Sequence, residues 1–313
     1  MEQFNNVLIA GGSGTLGHAL VKQLYDRCNK ITIYSRTESR QEAMRDVFPE
    51  YPDNRLRYIL GDVLDMDHLR RVIPGHDTVI HAAAMKFIDR SEYNGLECIR
   101  NNCDGTRNVA IACAECRVRR AMFVSTDKAC AAVSLYGMSK AVGERIWTSA
   151  NNLSPVCHYN MVRYGNVWGS TGSVRKKWEA LVAAGRNIQL TDSRMTRYFW
   201  TVEEAASFLL TCLGHDDRGV VYVSKMQSYR MEALAREAIK GTTSQIEYTG
   251  LRCLEKLHED LISEHESGTC YDLGDYYAIY PAVHDWTNNL SIQGQKVPEG
   301  FALKSSDNPK DTL

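Results

Sequence analysis

Through its first 125 residues the chain alternates short apolar runs with longer stretches whose apolar residues recur at helical spacing. The runs at 7–10, 31–34, 56–60, 78–81 and 120–125 have the length and the Val, Ile and Leu content of buried strands, and the stretches at 16–25, 38–47, 66–72 and 95–116 read as helices. Strand and helix in alternation predict repeated βαβ units, which right-handed crossovers stack into one parallel sheet with helices on both faces. Past about 165 the alternation loosens, with helices predicted near 178–184 and 201–213 and a strand at 219–223. The expected division is a large α/β domain at 1–165, to which 198–225 returns, a smaller region from 166–197 and 226–285, and a tail at 286–313. That tail is polar and rich in Gly, Pro, Ser, Asp and Lys, so it is expected to be mobile or to lie across a neighbouring surface.

A chain of 313 residues, 44% hydrophobic and 24% charged, has ample material for a substantial core. Thirty-seven Lys and Arg against 38 Asp and Glu leave a formal net charge of -1, which excludes the global basic field of a nucleic-acid or anionic-membrane binder. Any polyanion must be met by a local site. The apolar run after the polar residues 1–6 is too short for the core of a secretion signal, and no segment approaches the roughly 18 apolar residues of a membrane span. A soluble, cytoplasmic protein is therefore expected. Of the ten cysteines only Cys113 and Cys116 form a CxxC pair, inside a helical pattern and without a second ligand pair, so reduced thiols and no metal site are expected.

The candidate chemistry begins where the first strand turns into the first helix. Gly11, Gly14 and Gly17, with Thr15 and Leu16 between the last two, have GxxGxxG spacing: glycine permits a tight turn and lets the backbone approach a pyrophosphate, which a helix N-terminus favours. Such a loop also fits an empty tight turn, but its strand–helix context is that of a Rossmann-type, doubly wound sheet. The second strand ends in Ser35 and Arg36, where enzymes that use NAD place an acidic residue against the ribose 2′-hydroxyl; Ser and Arg suit a 2′-phosphate, so NADP is expected. Asp62 and Val63 fall where the adenine would lie, and Ala82, Ala83 and Ala84 offer a close-packed floor for the dinucleotide. Farther on, Tyr136 and Lys140 stand at i and i+4 and share one helical face, so that the ammonium can lower the phenol's pKa and bind the nicotinamide ribose. The phenolate would then take a hydroxyl proton while hydride leaves the carbon.

Six further segments carry a resemblance: His81-Ala-Ala-Ala-Met-Lys86, the stretch at 92–99, Ser125-Thr-Asp-Lys128, Arg163-Tyr-Gly-Asn-Val167, the stretch at 191–197 and Glu255-Lys-Leu-His-Glu259. From about residue 5 to 279 the chain resembles the extended short-chain dehydrogenases, and within them the UDP-N-acetylglucosamine 4,6-dehydratases of the polysaccharide-biosynthesis family. The resemblance implies an α/β fold with a smaller C-terminal substrate-binding domain, a UDP-sugar substrate and a homo-oligomer. It also implies that Tyr136 takes the 4-hydroxyl proton as hydride passes from C4 to NADP, that Lys128, when neutral, removes the C5 proton, and that Asp127, when protonated, helps the 6-hydroxyl leave. For the substrate it points to Lys86 near the sugar or nicotinamide, and to Asn166, Val167, Arg197, Arg252 and Glu255 around the UDP. Relatives with Tyr at position 136 are soluble and invert C5, whereas membrane-bound relatives that retain C5 commonly have Met there.

Three departures bear on the substrate. Arg252-Cys-Leu replaces the Arg-Pro-Gly that relatives typically place before Glu-Lys-Leu-His-Glu, Thr171 stands where Arg is common, and the chain after Tyr280 does not resemble the family ending. Two other functions share the glycine loop: a UDP-sugar 4-epimerase or simple reductase, which needs no Asp-Lys pair after the fifth strand, and a non-catalytic NADP-binding protein, which would not need the Tyr-Lys pair.

Overall fold

The computed structural model describes residues 4–49, 55–170, 172–283 and 292–312. Near-continuous apolar runs produce the central strands β1 (Phe4–Ala10), β2 (Cys28–Ser35), β3 (Leu56–Leu60), β4 (Thr78–His81), β5 (Arg120–Val124) and β6 (His158–Arg163). Val7, Leu8, Ile9 and Ala10 are each 0% exposed, as expected of a parallel strand covered on both faces. Shorter strands follow: β7 (Asn166–Val167), β8 (Ile188–Leu190), β9 (Thr196–Trp200), β10 (Val221–Ser224), β11 (Ser228–Arg230), β12 (Ile246–Tyr248), β13 (Asp260–Ile262), β14 (Cys270–Asp272), β15 (Tyr276–Ile279), β16 (Gln295–Lys296) and β17 (Leu303–Lys304).

The main sheet runs β16-β14-β15-β10-β6-β5-β4-β1-β2-β3, with the strands from β3 to β10 parallel. The order reverses between β1 and β4, and such a switch point opens a crevice at the carboxyl ends of the strands. Helices α1 (Thr15–Leu24), α2 (Glu38–Val47), α3 (Met66–Val72), α4 (Ile88–Tyr93), α5 (Gly95–Ile99), α6 (Gly105–Glu115), α7 (Leu135–Ser149), α8 (Val174–Ala183), α9 (Val202–Leu213) and α10 (Met231–Ile239) complete the fold. The smaller sheets, β11-β9-β7 and β12-β8, rest with α8 and α10 on a core of their own that includes Trp178, Ile188, Phe199 and Leu234. The fold is therefore the α/β, Rossmann-type doubly wound sheet with a smaller C-terminal region.

Two expectations are corrected, and a third is resolved between its alternatives. The helix expected at 95–116 is interrupted by a π-helical turn at Arg100–Asp104, which aims Asn102 inward to accept from the Met85 N–H (2.8 Å) and donate to its carbonyl (3.0 Å). Residues 270–279, expected in the smaller region, instead form β14 and β15 and cover the edge of β10, where Ala278 is fully buried. The tail takes the second of the two forms expected of it and lies across neighbouring strands: β16 pairs with β14, β17 pairs with β13, and Lys310 bridges to Tyr229. Its polar residues are used as hydrogen-bond partners, a role that a hydropathy pattern does not register. Residues 284–291, part of that tail, and Thr171 lie outside the described residues.

A buried cation ties the parallel sheet to the C-terminal part of the chain. Arg163 on β6, 2% exposed, meets Glu144 of α7 at 2.7 Å and Glu266 at 2.9 Å. Burial alone would raise the Glu266 carboxyl, but Arg163 overrides it and holds it down at about 2. Arg163→Met strands both carboxylates and is expected to cost about 3–5 kcal/mol in urea unfolding. A depressed carboxyl stabilises above its unfolded value, so the Glu266 contribution should be complete above the ordinary value of 4.5 and vanish as pH falls through about 2.

Candidate active site

A cleft of about 1100 Å³ opens at the switch point and runs from the glycine loop to the smaller sheets. At one end the chain is pressed too tightly for side chains. Gly11 has φ +82° and a Cβ there would lie 2.6 Å from the Ala83 nitrogen, while a Cβ on Gly17 would lie 1.7 Å from the Gly12 carbonyl oxygen. Gly14 is the N-cap of α1, so the positive end of that helix faces the cleft with Ala82, Ala83 and Ala84 alongside. This cradle fits a nicotinamide dinucleotide. Ser35 and Arg36 line the same end, joined by Arg40 of α2, which the amphipathic pattern of its helix presents only as a solvated cation. Val63 reaches the wall, but Asp62 does not: its carboxylate accepts from the Leu64 N–H at 2.9 Å and pairs with Arg36 at 3.4 Å.

The reacting groups come from the loop after β5 and the start of α7. Ser134 caps α7 by accepting from the Gly137 N–H, which sets Tyr136 and Lys140 on the first turns. A Cβ on Gly137 would come within 2.2 Å of the Lys128 carbonyl oxygen, so glycine there lets α7 press Tyr136 up to Lys128. Asp127 is 0% exposed and stands behind Lys128, outside the cleft wall. Lys128 Nζ donates to Asp127 Oδ1 at 2.9 Å and to Asn166 Oδ1 at 3.5 Å, and lies 3.6 Å from Glu259 Oε1. Burial disfavours this ammonium, but Asp127 and Glu259 more than compensate and hold its pKa above the ordinary lysine range.

The phenol is not tuned as the helical spacing implied. Burial pushes Tyr136 up to about 12, and the groups pulling it back are the Lys128 charge and the Thr126 hydroxyl. Lys140 donates instead to the Val124 carbonyl at 2.6 Å, and burial draws it down to about 7. A shared helical face places Tyr and Lys side by side, but does not determine which cation in the folded site acts on the phenol.

Lys86, Val167 and Arg252 line the substrate half of the cleft, and Lys86 and Arg252 are solvent-accessible. Arg197 also reaches the wall, but its donors are engaged with the Thr196, Leu257 and Lys256 carbonyls at 2.7, 3.0 and 2.8 Å, and it pairs with Glu255 and Glu259. It clamps the turn at 255–259, whereas Arg252 is exposed at the cleft and holds Asp89 at 3.5 Å and Glu255 at 3.4 Å in weak surface pairs that a diphosphate can replace. Leu254 sits at φ +65°, a left-handed conformation, and Glu255 N–H still donates to the Arg252 carbonyl at 3.2 Å. The turn has thus survived the loss of Pro-Gly, at a strain of about 1–2 kcal/mol for a non-glycine residue. Glu259 closes one of the family segments, yet neither its residue type nor its spacing signals that it meets Lys128.

Comparison with known proteins agrees with this geometry. Residues 7–281 match the family described as polysaccharide biosynthesis protein. The chain is 38% identical, over 97% of its length and 93% of the relative's, to the UDP-N-acetylglucosamine 4,6-dehydratase (inverting) of Campylobacter jejuni serotype O:23/36. Among solved structures it resembles Pen from Bacillus thuringiensis, with TM-score 0.90 and 27% identity over 99% of this chain and 96% of that one. The dTDP-glucose 4,6-dehydratase DesIV of Streptomyces venezuelae, solved with NAD and TYD bound, shares the fold at TM-score 0.74 and 19% identity over 80% of this chain and 86% of that one. A dinucleotide cradle, a Tyr-Lys helix and a family match across most of the length lead to one conclusion: this chain is an extended short-chain dehydrogenase belonging to the polysaccharide biosynthesis protein family.

Proposed function

We propose that the chain is a UDP-N-acetylglucosamine 4,6-dehydratase that inverts C5 and uses NADP. The observation that carries this reading is the buried Asp127–Lys128 pair beside Tyr136, because a 4-epimerase needs no second acid and base. The end of the cleft lined by Gly11, Gly14, Ser35 and Arg36 would hold a nicotinamide dinucleotide, which when bound would supply a hydride acceptor for C4 and a hydride donor for C6, with no net redox change. Tyr136 takes the 4-hydroxyl proton, and the resulting ketone acidifies the proton at C5. One proton passed along the 2.9 Å bond from Lys128 to Asp127 leaves an amine and a carboxylic acid, the two species that elimination requires. The amine takes the C5 proton, the Asp127 proton reaches the departing 6-hydroxyl by way of Lys128, which stands between Asp127 and the cleft, water leaves, and the ion pair is restored. With hydride restored at C6, a solvent proton added on the opposite face of C5, balanced by release of the Tyr136 proton to solvent, gives the inverted 4-keto-6-deoxy sugar. The test is NMR of the protein with UDP-N-acetylglucosamine and catalytic NADP in deuterium oxide. A 6-methyl, 4-keto product with inverted, deuterated C5 is expected; retained C5 would overturn the stereochemistry, and an unchanged or 4-epimerised sugar would overturn the dehydratase.

The NADP preference rests on Ser35, Arg36 and Arg40. The Arg36–Asp62 pair is half exposed and correspondingly weak, so Arg36 is free to turn toward a 2′-phosphate. Arg36→Ala is expected to weaken NADP about tenfold to a hundredfold in calorimetric titration and to leave NAD nearly unchanged. Equal losses for both dinucleotides would remove the argument. No helix among the described residues is long and apolar enough to cross a membrane, and we take the enzyme to work in the cytoplasm. Tyr93 and Leu96 are 89% and 83% exposed on helices packed against α7, which supports a homo-oligomer.

A further inference from the structure

We propose that Glu259 is a positioning residue for the elimination step: it holds the Lys128 ammonium against Asp127, it is itself held by Ser305, and it is needed for loss of the C5 proton. The inference rests on the reading of Lys128 as the C5 base.

Glu259 is 4% exposed, and its Oε1 lies 3.6 Å from Lys128 Nζ and 3.7 Å from Arg197 Nε. Its Oε2 is buried with no hydrogen-bond partner among the described residues. A buried, half-satisfied carboxylate weakens a fold, so its placement against a reacting group calls for a role beyond packing. Its backbone is fixed from both sides by one residue of the C-terminal segment. Glu259 N–H donates to Ser305 Oγ at 2.8 Å, and Ser305 N–H donates to the Glu259 carbonyl at 2.8 Å. The same Ser305 hydroxyl lies 2.7 Å from Thr196 Oγ1, beside Arg197, and the serine is 0% exposed. A single buried serine therefore locks together the two segments that present Arg197 and Glu259 to the site.

The charge has a direct chemical consequence. Arg197 is shared between Glu255 and Glu259, so part of the Glu259 charge is left to act on Lys128. Lying 3.6 Å from Nζ, it makes the neutral Lys128 amine a stronger base. Loss of the C5 proton needs that base. Burial pushes Glu259 above the ordinary carboxylate range; Lys128, Arg197 and Lys256 pull it back, and Asp127 pushes it further up.

The experiment compares wild type, Glu259→Gln, Ser305→Ala and Lys128→Ala, each with UDP-N-acetylglucosamine and with the same sugar carrying deuterium at C5. Glutamine keeps the shape and removes the charge. Glu259→Gln is expected to lower kcat about tenfold or more, to leave KM within about twofold, and to enlarge the deuterium effect on kcat because C5–H cleavage becomes the slowest step. Ser305→Ala, which loosens the Glu259 backbone together with Thr196, should show the same pattern in smaller measure. A wild-type kcat and isotope effect in Glu259→Gln would overturn the proposal. So would a lower kcat with an unchanged isotope effect and a reduced melting temperature, which marks a purely structural role. If Lys128→Ala still turns over with a wild-type isotope effect, the reading of Lys128 fails; if it loses turnover while Glu259→Gln does not, only the present inference fails.

Discussion

Lys128→Ala is expected to lower kcat by about a thousandfold and to leave KM for the UDP-sugar nearly unchanged, the range for removing a general base. The split follows from position. Lys128 is bound by Asp127, Asn166 and Glu259 inside the site, whereas Arg252 is exposed at the cleft where a diphosphate can meet it. The substitution also leaves Asp127 and Glu259 buried without their shared counter-charge. The protein should therefore lose about 3–5 kcal/mol unless one carboxyl takes up a proton, and melting at pH 5 and 8 reads this out, with the loss larger at the higher pH. Solvent deuterium should not enter C5 in this variant. Wild-type incorporation at C5 would show that another base serves the step.

Tyr136→Phe is expected to reduce turnover by about 10²- to 10⁴-fold at the preceding step, with no 4-keto sugar formed at all. Phenylalanine fills the same buried space and loses only the hydroxyl, whose hydrogen-bond partner is Thr126. The pH dependence has a definite sign. The phenol lies near 12 because burial outweighs the pull of Lys128 and Thr126. Its ionised fraction therefore grows with pH across the neutral and mildly alkaline range, and the rate of C4 oxidation in the wild type should rise with it. In Tyr136→Phe that rising limb should be absent. A limb that persists in the variant would assign the C4 proton to a different group.

Much of the nucleotide half is legible in the amino-acid sequence alone. The helix at 38–47, the strand at 56–60 and the helix at 66–72 match the observed elements residue for residue, since each is written in local periodicity. The glycine spacing locates the cradle for the same reason: a tight turn and a helix start are settled within a few residues. Arg197 shows where this stops. Its residue type suits a diphosphate, but the fold surrounds it with three carbonyls and two carboxylates. The short strands after residue 165 carry too few residues for a period to stand out, and their pairing depends on partners far away in the chain.

Local spacing thus settled the parallel sheet, the dinucleotide loop and the grouping of Asp127, Lys128, Tyr136 and Lys140 near one strand end, because those relations span at most one element and the turn beside it. Only the tertiary structure decided that Lys128 and not Lys140 bears on the phenol, that Glu259 faces Lys128, and that Ser305 of a polar tail braces both Glu259 and Thr196. Those contacts join segments distant in sequence. They follow from how strands register and how buried charges find partners, and neither leaves a local pattern of hydrophobic and polar positions.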